Sequence, residues 1–354
     1  MEGDVPVVYH QVSQINSGRE QEYRIMKNIH LKKRTVSIAV PILIFSISTV
    51  LSGCGKKTLE EPYSFADRGN NMGVSEGSSS LAPLFASDLC VISGENQDGD
   101  TELTAEAAGL FNATDGTVLY SKNAYEELYP ASITKVMTAI LAIEEGNLSD
   151  EVTVTDDAVI TESGASLCGI KPGDTLTLEQ LLYGLLIPSG NDAANAIAVH
   201  MSGSIDAFSE QMNEKARKLG ATHTHFKNPS GLSDPEHYTT VYDLYLIFNE
   251  ALKHSKFREI IGADSYTASF TDKAGTPVSK TWKVGNWYQN GEEETPKGIT
   301  VLGGKTGTTQ NAGYCLIMAE KDESGKEYIS VVLKAKNRSG LYQNMTNIIT
   351  KTVD

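Results

Sequence analysis

Ser132 and Lys135 stand three residues apart in the run Ser132-Ile133-Thr134-Lys135. On a helix, side chains at i and i+3 share a face. A serine hydroxyl becomes a nucleophile only with a base beside it. Lysine can be that base only when neutral, and both burial and a nearby second cation lower its pKa. Pro130-Ala131 precede the serine and place it in a first helical turn. Free N–H groups and the positive end of the helix dipole there favour a developing oxyanion. Taken alone the pair is weak, because average residue usage yields the pattern about once in a chain this long. On the pair alone, an N-capping serine with a solvated lysine one turn on is the better reading.

Two further groups add weight. Ser189-Gly190-Asn191 follows an apolar stretch broken by Pro188. A tight loop between helices would project Ser189 and Asn191 into a cleft. Ser189 could relay a proton to a leaving amine, and Asn191 could both donate to and accept from a peptide. The capping reading applies here too, and Ser121-Lys122-Asn123 fits the same Ser-x-Asn pattern. The third group is Lys305-Thr306-Gly307, inside Gly303–Thr308 and ahead of an apolar run. Glycine on a strand lets another backbone come close, so an extended peptide could lie along this edge. Lys305 and Thr306 would offer charge and a hydroxyl to a carboxylate. The Thr308 N–H, with that of Ser132, could form an oxyanion hole. A Gly-rich hairpin turn is the alternative. Lys305 is also the second cation that Lys135 needs.

These residues need elements to hold them. Ala108–Asn112 and Thr117–Tyr120 flank Asp115-Gly116, a hairpin signal. The spacing of Val136, Ile140 and Ile143 predicts an amphipathic helix over Ser132–Glu145, stopped by Gly146-Asn147. Leu178–Ile187, Asp192–Met201, Ile205–Leu219 and Tyr242–Leu252 read as further helices. Tyr266–Phe270, Lys280–Val284, Ala312–Ala319 and Tyr328–Lys334 read as strands, and Leu341–Thr350 as a closing helix. Strands from both ends with helices between predict an α+β fold: an antiparallel sheet flanked by helices, with an inserted all-helical subdomain.

The formal net charge of -15 argues against a nucleic-acid partner. Lys32, Lys33 and Arg34 precede the apolar run Val36–Val50, which ends in Leu51-Ser52-Gly53-Cys54. At about 15 residues the run is short of the roughly 20 needed to span a membrane, and it reads as an export signal. The tetrad resembles a bacterial lipobox, so residues 1–53 are expected to be a leader and Cys54 the lipidated first residue. Met26-Lys27 would begin a leader of ordinary length, making Met26 the expected start. Without residues 1–53 the chain carries 24 basic and 41 acidic residues, or -17. Residues 54–104 are expected to hold a flexible tether, with Gly77-Ser78-Ser79-Ser80 at its centre, and 105–354 the catalytic domain. Cys90, Cys168 and Cys315 have neither metal-site nor disulfide-framework spacing, and Cys315 is expected to be a buried strand residue. His200, His223, His225 and His237 show no zinc-protease pattern, so neither metal nor cofactor is expected.

The three groups together, in this order, resemble the S-x-x-K, S-x-N and K-T-G motifs of beta-lactamases and penicillin-binding proteins. Tyr129–Ala139, Lys171–Asp174, Leu181–Ala194, Asn228–Leu232 and His237–Thr240 extend the likeness to the type-5 low-molecular-mass penicillin-binding proteins, the D-alanyl-D-alanine carboxypeptidases. The resemblance runs from about Ala105 to the C-terminus. It implies a penicillin-binding fold, stem peptides ending in D-Ala-D-Ala as substrate and beta-lactams as covalent inhibitors. It implies Ser132 as nucleophile, Lys135 as base, Ser189 and Asn191 in the proton and substrate network, Lys305 and Thr306 on the carboxylate, and Thr308 in the oxyanion hole. Some members use an Arg near the last helix, and Arg338 is the residue in that place. With lipid on Cys54 the enzyme would sit on the outer face of the cytoplasmic membrane. A D,D-endopeptidase, a beta-lactamase and a non-catalytic penicillin sensor are the alternatives.

Overall fold

A computed structural model describes residues 89–92 and 102–353. The leader, Cys54, the central tether and the acidic stretch 94–101 lie outside the described residues. The main sheet is built from both ends of the stretch 102–353. Strands β1 (Ala107–Asn112) and β2 (Thr117–Lys122) form the expected hairpin. They join β7 (Ile299–Thr309), β8 (Gly313–Asp322) and β9 (Glu327–Ala335) in the order β2-β1-β9-β8-β7, all antiparallel. Strand β1 is buried along its whole length because both faces of the sheet are covered. Ala107 and Phe111 face one apolar layer, and Ala108 and Leu110 the other. That is why it reads as a continuous apolar run and not as an alternating one.

Between β2 and β7 the chain is mostly helical. Helices α1 (Lys135–Glu145), α2 (Leu178–Leu186), α3 (Asn191–Ser202), α4 (Ile205–Lys218), α5 (Val241–Ala251) and α6 (Ser255–Ile261) pack over one face of the sheet. Short strands β3 (Glu151–Thr153) and β4 (Thr175–Thr177) pair with each other and continue into the hairpin β5 (Ser265–Thr271) and β6 (Pro277–Lys283). The helical insertion thus carries a second, four-stranded sheet. Helix α7 (Trp287–Asn290) leads to β7, and α8 (Arg338–Thr350) covers the other face of the main sheet.

Helix α1 is more buried than its amphipathic spacing implied. Every residue from Lys135 to Ala142 is inside, because the small Thr138, Ala139 and Ala142 admit neighbouring helices on all sides. The packed body also reaches upstream of Ala105. Cys90 is fully buried, its N–H donates to the Tyr245 hydroxyl at 2.8 Å, and its carbonyl accepts from the Tyr242 hydroxyl at 2.8 Å. Part of the stretch expected as tether is therefore fastened to α5.

Under α8 the sheet buries one acid completely. Glu320 accepts a short hydrogen bond from the Ser330 hydroxyl, while its Oε2 has no partner among the described residues. Burial pushes its pKa well above the ordinary carboxylate range. The fold therefore holds a proton that the unfolded chain releases near pH ~4.3. This contribution is intact below that pH and is lost as pH rises through the folded value. Glu320→Gln is expected to gain stability over the parent between pH 5 and pH 8, by about 1–3 kcal/mol. Urea melts at both pH values measure it, and a pH-independent difference would refute the assignment.

Candidate active site

Residues Ala131–Thr134 form a 3₁₀ turn that leads straight into α1. Ser132 thus sits in a tighter turn than the expected α-helix, and Lys135 begins the helix proper. The tight turn comes from the backbone: Ala131 has a φ of 49°, a left-handed conformation that non-glycine residues avoid. Gly307 on β7 and Gly231 in the loop before α5 press on this turn. A Cβ at Gly307 would come 2.8 Å from the Pro130 carbonyl and 3.0 Å from the Ser132 nitrogen. Glycine at 307 thus brings β7 against Ser132, with Thr308 exposed on the strand just beyond.

Lys135 is 0% exposed. Its Nζ lies 2.9 Å from Ser132 Oγ, 2.6 Å from Asn191 Oδ1 and 2.6 Å from the Ser230 carbonyl. Burial lowers its pKa well below the usual lysine range, the charge of Lys305 lowers it further, and Asp192 opposes both. The count of hydrogen atoms then matters. A neutral amine has two N–H groups and one lone pair. The Asn191 and Ser230 oxygens can only accept, so they take both N–H groups. In the neutral amine, which burial favours, the lone pair then faces Ser132 Oγ.

The second lysine is built alike. Lys305 on β7 is 2% exposed, and its Nζ donates to Ser189 Oγ at 2.9 Å and to the Thr306 carbonyl at 2.8 Å. Burial lowers its pKa to about 7. Ser189 has a φ of 63°, a second strained residue at the site. Asn191 is not in the loop but is the first residue of α3. The structure thus brings Ser132, Lys135 and Asn191 into one hydrogen-bonded group and Ser189 with Lys305 into another. Ser121-Lys122-Asn123, the competing match, ends β2, where Lys122 donates to the carbonyls of Leu103 and Ala105.

Comparison with known proteins agrees with this geometry. A profile of the D-alanyl-D-alanine carboxypeptidase family, peptidase S11, matches residues 94–337. The chain belongs to that family. It is a low-molecular-mass penicillin-binding protein. It is 38% identical over 249 residues to the D-alanyl-D-alanine carboxypeptidase DacF of Bacillus subtilis, covering 68% of this chain and 60% of that one. It is 34% identical over 263 residues to a D-alanyl-D-alanine carboxypeptidase of a Streptomyces species, covering 70% of this chain and 88% of the relative. The crystal structure of a Streptomyces DD-transpeptidase superposes with a TM-score of 0.66 at 32% identity, covering 71% of this chain and 97% of that one. The chain thus spans about three fifths of the length of DacF.

The remaining residues singled out in the sequence fall elsewhere. Arg338 is exposed at the start of α8, with its guanidinium 5.7 Å over the Trp287 ring. It follows β9 at the sheet end where Ala335 pairs with Tyr314 and Tyr314 with Thr308. Cys90, Cys168 and Cys315 are buried free thiols, Cys315 on β8 as anticipated. His200 lies by Asp150, His223 by Glu127, and His237 inside the protein against Thr134. Glu144, Glu250 and His254 bring ligand atoms within 4.8 Å of one another, but Lys215 Nζ already sits 2.7 Å from a Glu144 oxygen. The sequence reading missed the Ser230 carbonyl, a backbone atom that no side-chain motif announces. It also missed Asp192. That buried carboxylate accepts from the N–H groups of Cys168, Gly169, Ile170 and Ala193. The loop it fastens supplies the Ser166 carbonyl to the Asn191 N–H.

Proposed function

We propose that this protein is a serine-type D-Ala-D-Ala carboxypeptidase acting on peptidoglycan stem peptides. The observation that carries the reading is the buried Lys135 Nζ, held by the Asn191 and Ser230 oxygens and 2.9 Å from Ser132 Oγ. Lys135 takes the Ser132 proton as the hydroxyl attacks the penultimate D-alanine carbonyl. The N–H groups of Ser132 and Thr308 receive the oxyanion. Ser189, hydrogen-bonded to Lys305, passes its own proton to the departing amine while taking over the one held by Lys135, so D-alanine leaves and Lys135 is neutral again. Lys305 and Thr306 hold its carboxylate, and Arg338 could join them by leaving Trp287. Lys135 then activates the water that frees Ser132. Beta-lactams acylate the same serine. The Leu51-Ser52-Gly53-Cys54 sequence supports export and lipid anchoring at the outer face of the cytoplasmic membrane.

A beta-lactamase would need a carboxylate free to drive deacylation, and that of Asp192 is engaged by four backbone N–H groups. Transfer to an amine is the second reading, favoured by the structural relative named a DD-transpeptidase.

The test is D-alanine release from a pentapeptide ending in D-Ala-D-Ala, with mass mapping of a penicillin adduct to Ser132. Because Lys305 is charged below about pH 7 and neutral above it, carboxylate capture weakens with rising pH. The kcat/KM profile is expected to fall above about 7, and the kcat profile at higher pH, since bound carboxylate raises that pKa. Adduct without release would make the protein a sensor. Cleavage of cross-linked dimers alone would make it an endopeptidase, and product only with an added amine a transpeptidase.

A further inference from the structure

Thr134 lies between the nucleophile and the base, and its side chain touches a buried histidine 103 residues away. His237 is 1% exposed. Its Nδ1 accepts from the Lys227 backbone N–H at 3.2 Å, so the single proton of the neutral ring is on Nε2. That nitrogen is 2.8 Å from Thr134 Oγ1 and donates to it. Burial lowers the ring's pKa to about 4, against the opposing pull of the Asp234 carboxylate, with His225 and Lys135 the other ionisable groups facing it. At neutral pH it is therefore uncharged with one fixed tautomer. Phe226 holds the ring edge-on, with centroids 5.6 Å apart and planes at 75°. The backbone around it is tied on both sides: Tyr238 pairs with His225, and Thr239 with Leu128, just before the nucleophile turn.

The loop beneath this contact presents the Ser230 carbonyl to Lys135. Asn228 Oδ1 accepts from the N–H groups of Ser230 and Gly231 and shapes the turn. Thr138 Oγ1 donates to the Pro229 carbonyl at 2.7 Å and holds the turn to α1. Neither contact fixes the loop to the 3₁₀ turn that carries Ser132, whereas the His237–Thr134 bond does.

We propose that His237 is a positioning residue for the Ser132–Lys135 pair: through Thr134 it locks the loop bearing the Ser230 carbonyl to the turn bearing the nucleophile. If the carbonyl drifts, Lys135 loses one of its two N–H acceptors and its lone pair is no longer held toward Ser132. The proposal rests on Ser132 and Lys135 reacting as described above. A core histidine serving only to fill space would not care which nitrogen is kept.

That difference supplies the test. The Gln side-chain nitrogen overlays Nε2 and keeps the Thr134 bond alone. The Asn oxygen overlays Nδ1 and keeps the Lys227 bond alone. Acylation by a fluorescent penicillin and kcat for D-alanine release are measured in His237→Gln, His237→Asn, His237→Phe and Thr134→Val. The Asn, Phe and Val variants are expected to lose about ten- to a hundredfold in acylation rate and kcat, with KM unchanged. His237→Gln is expected to stay within about threefold of the parent, and the His237→Phe/Thr134→Val pair to be no slower than either single change. Equal rescue by Asn and Gln, or parental acylation in a folded His237→Phe, overturns the proposal. Should His237→Phe fail to fold, Thr134→Val decides, and parental acylation in it overturns the proposal. A parent that neither labels nor turns over would instead defeat the functional reading on which it rests.

Discussion

Lys135→Arg is expected to lower the rate of Ser132 acylation by about 10³–10⁴-fold, the upper range for loss of a general base. In barrier terms that is about 4–5.5 kcal/mol. Charge conservation does not help, because the site requires the opposite. A guanidinium keeps its proton throughout the accessible pH range, with a pKa above about 12. It therefore offers no lone pair to the Ser132 hydroxyl, even where burial drives Lys135 well below the usual lysine range. Geometry compounds the loss. The Ser132, Asn191 and Ser230 oxygens surround one tetrahedral nitrogen at 2.9, 2.6 and 2.6 Å, and a planar fork cannot meet all three from a site with no solvent exposure. The check is the second-order rate of penicillin labelling between pH 6 and 10. A variant within tenfold of the parent, or one that recovers at high pH, would remove Lys135 from the role of base.

The sequence made some of this site legible and hid the rest for identifiable reasons. Lys305 could be placed on a strand because an apolar run follows its glycines, and β7 and β8 pair through Lys305 and Ile317. Its effect on Lys135 followed from the chemistry a lysine base requires, and the structure shows burial to be the larger cause. Ser189 and Asn191 were found by type, but their separation into loop and helix depends on Gly190, where a Cβ would come 2.7 Å from the Gly184 carbonyl. Such close approaches leave no periodicity to read. Strands β3 and β4 span three residues each, too short for an alternating pattern, so only the β5 and β6 half of the second sheet could be read. The third acceptor for Lys135 is a main-chain oxygen, and main-chain oxygens have no residue type. The His237–Thr134 contact spans 103 residues, so nothing local distinguishes it from any other buried histidine.

The 3₁₀ turn at Ala131 was missed for a related reason, and it leads to the second large effect. Gly231→Ala is expected to lower acylation by at least about a hundredfold, since displacements near 1 Å at a reacting centre cost that much. A Cβ at Gly231 would stand 1.9 Å from the Ala131 carbonyl oxygen and 2.9 Å from Thr134 Oγ1. Both neighbours belong to the nucleophile turn, and the nearer one is backbone that no rotamer change can move aside. The φ of Gly231 is also 84°, so strain adds to the clash. Gly307 packs against the same turn at Pro130 and Ser132, so a shift of the turn carries Ser132 away from Lys135. The accompanying loss of stability should be about 2–4 kcal/mol, the range for overpacking plus left-handed strain. Gly275→Ala separates the two causes. Its φ is 77°, yet no atom lies within 4 Å of the added Cβ, and it sits in the turn between β5 and β6. That variant should lose about 1 kcal/mol of stability from backbone strain alone and keep the parental acylation rate. If Gly231→Ala instead behaves like Gly275→Ala, with folded protein labelling at the parental rate, then the turn can relax and the clamp on Ser132 does not set its reactivity.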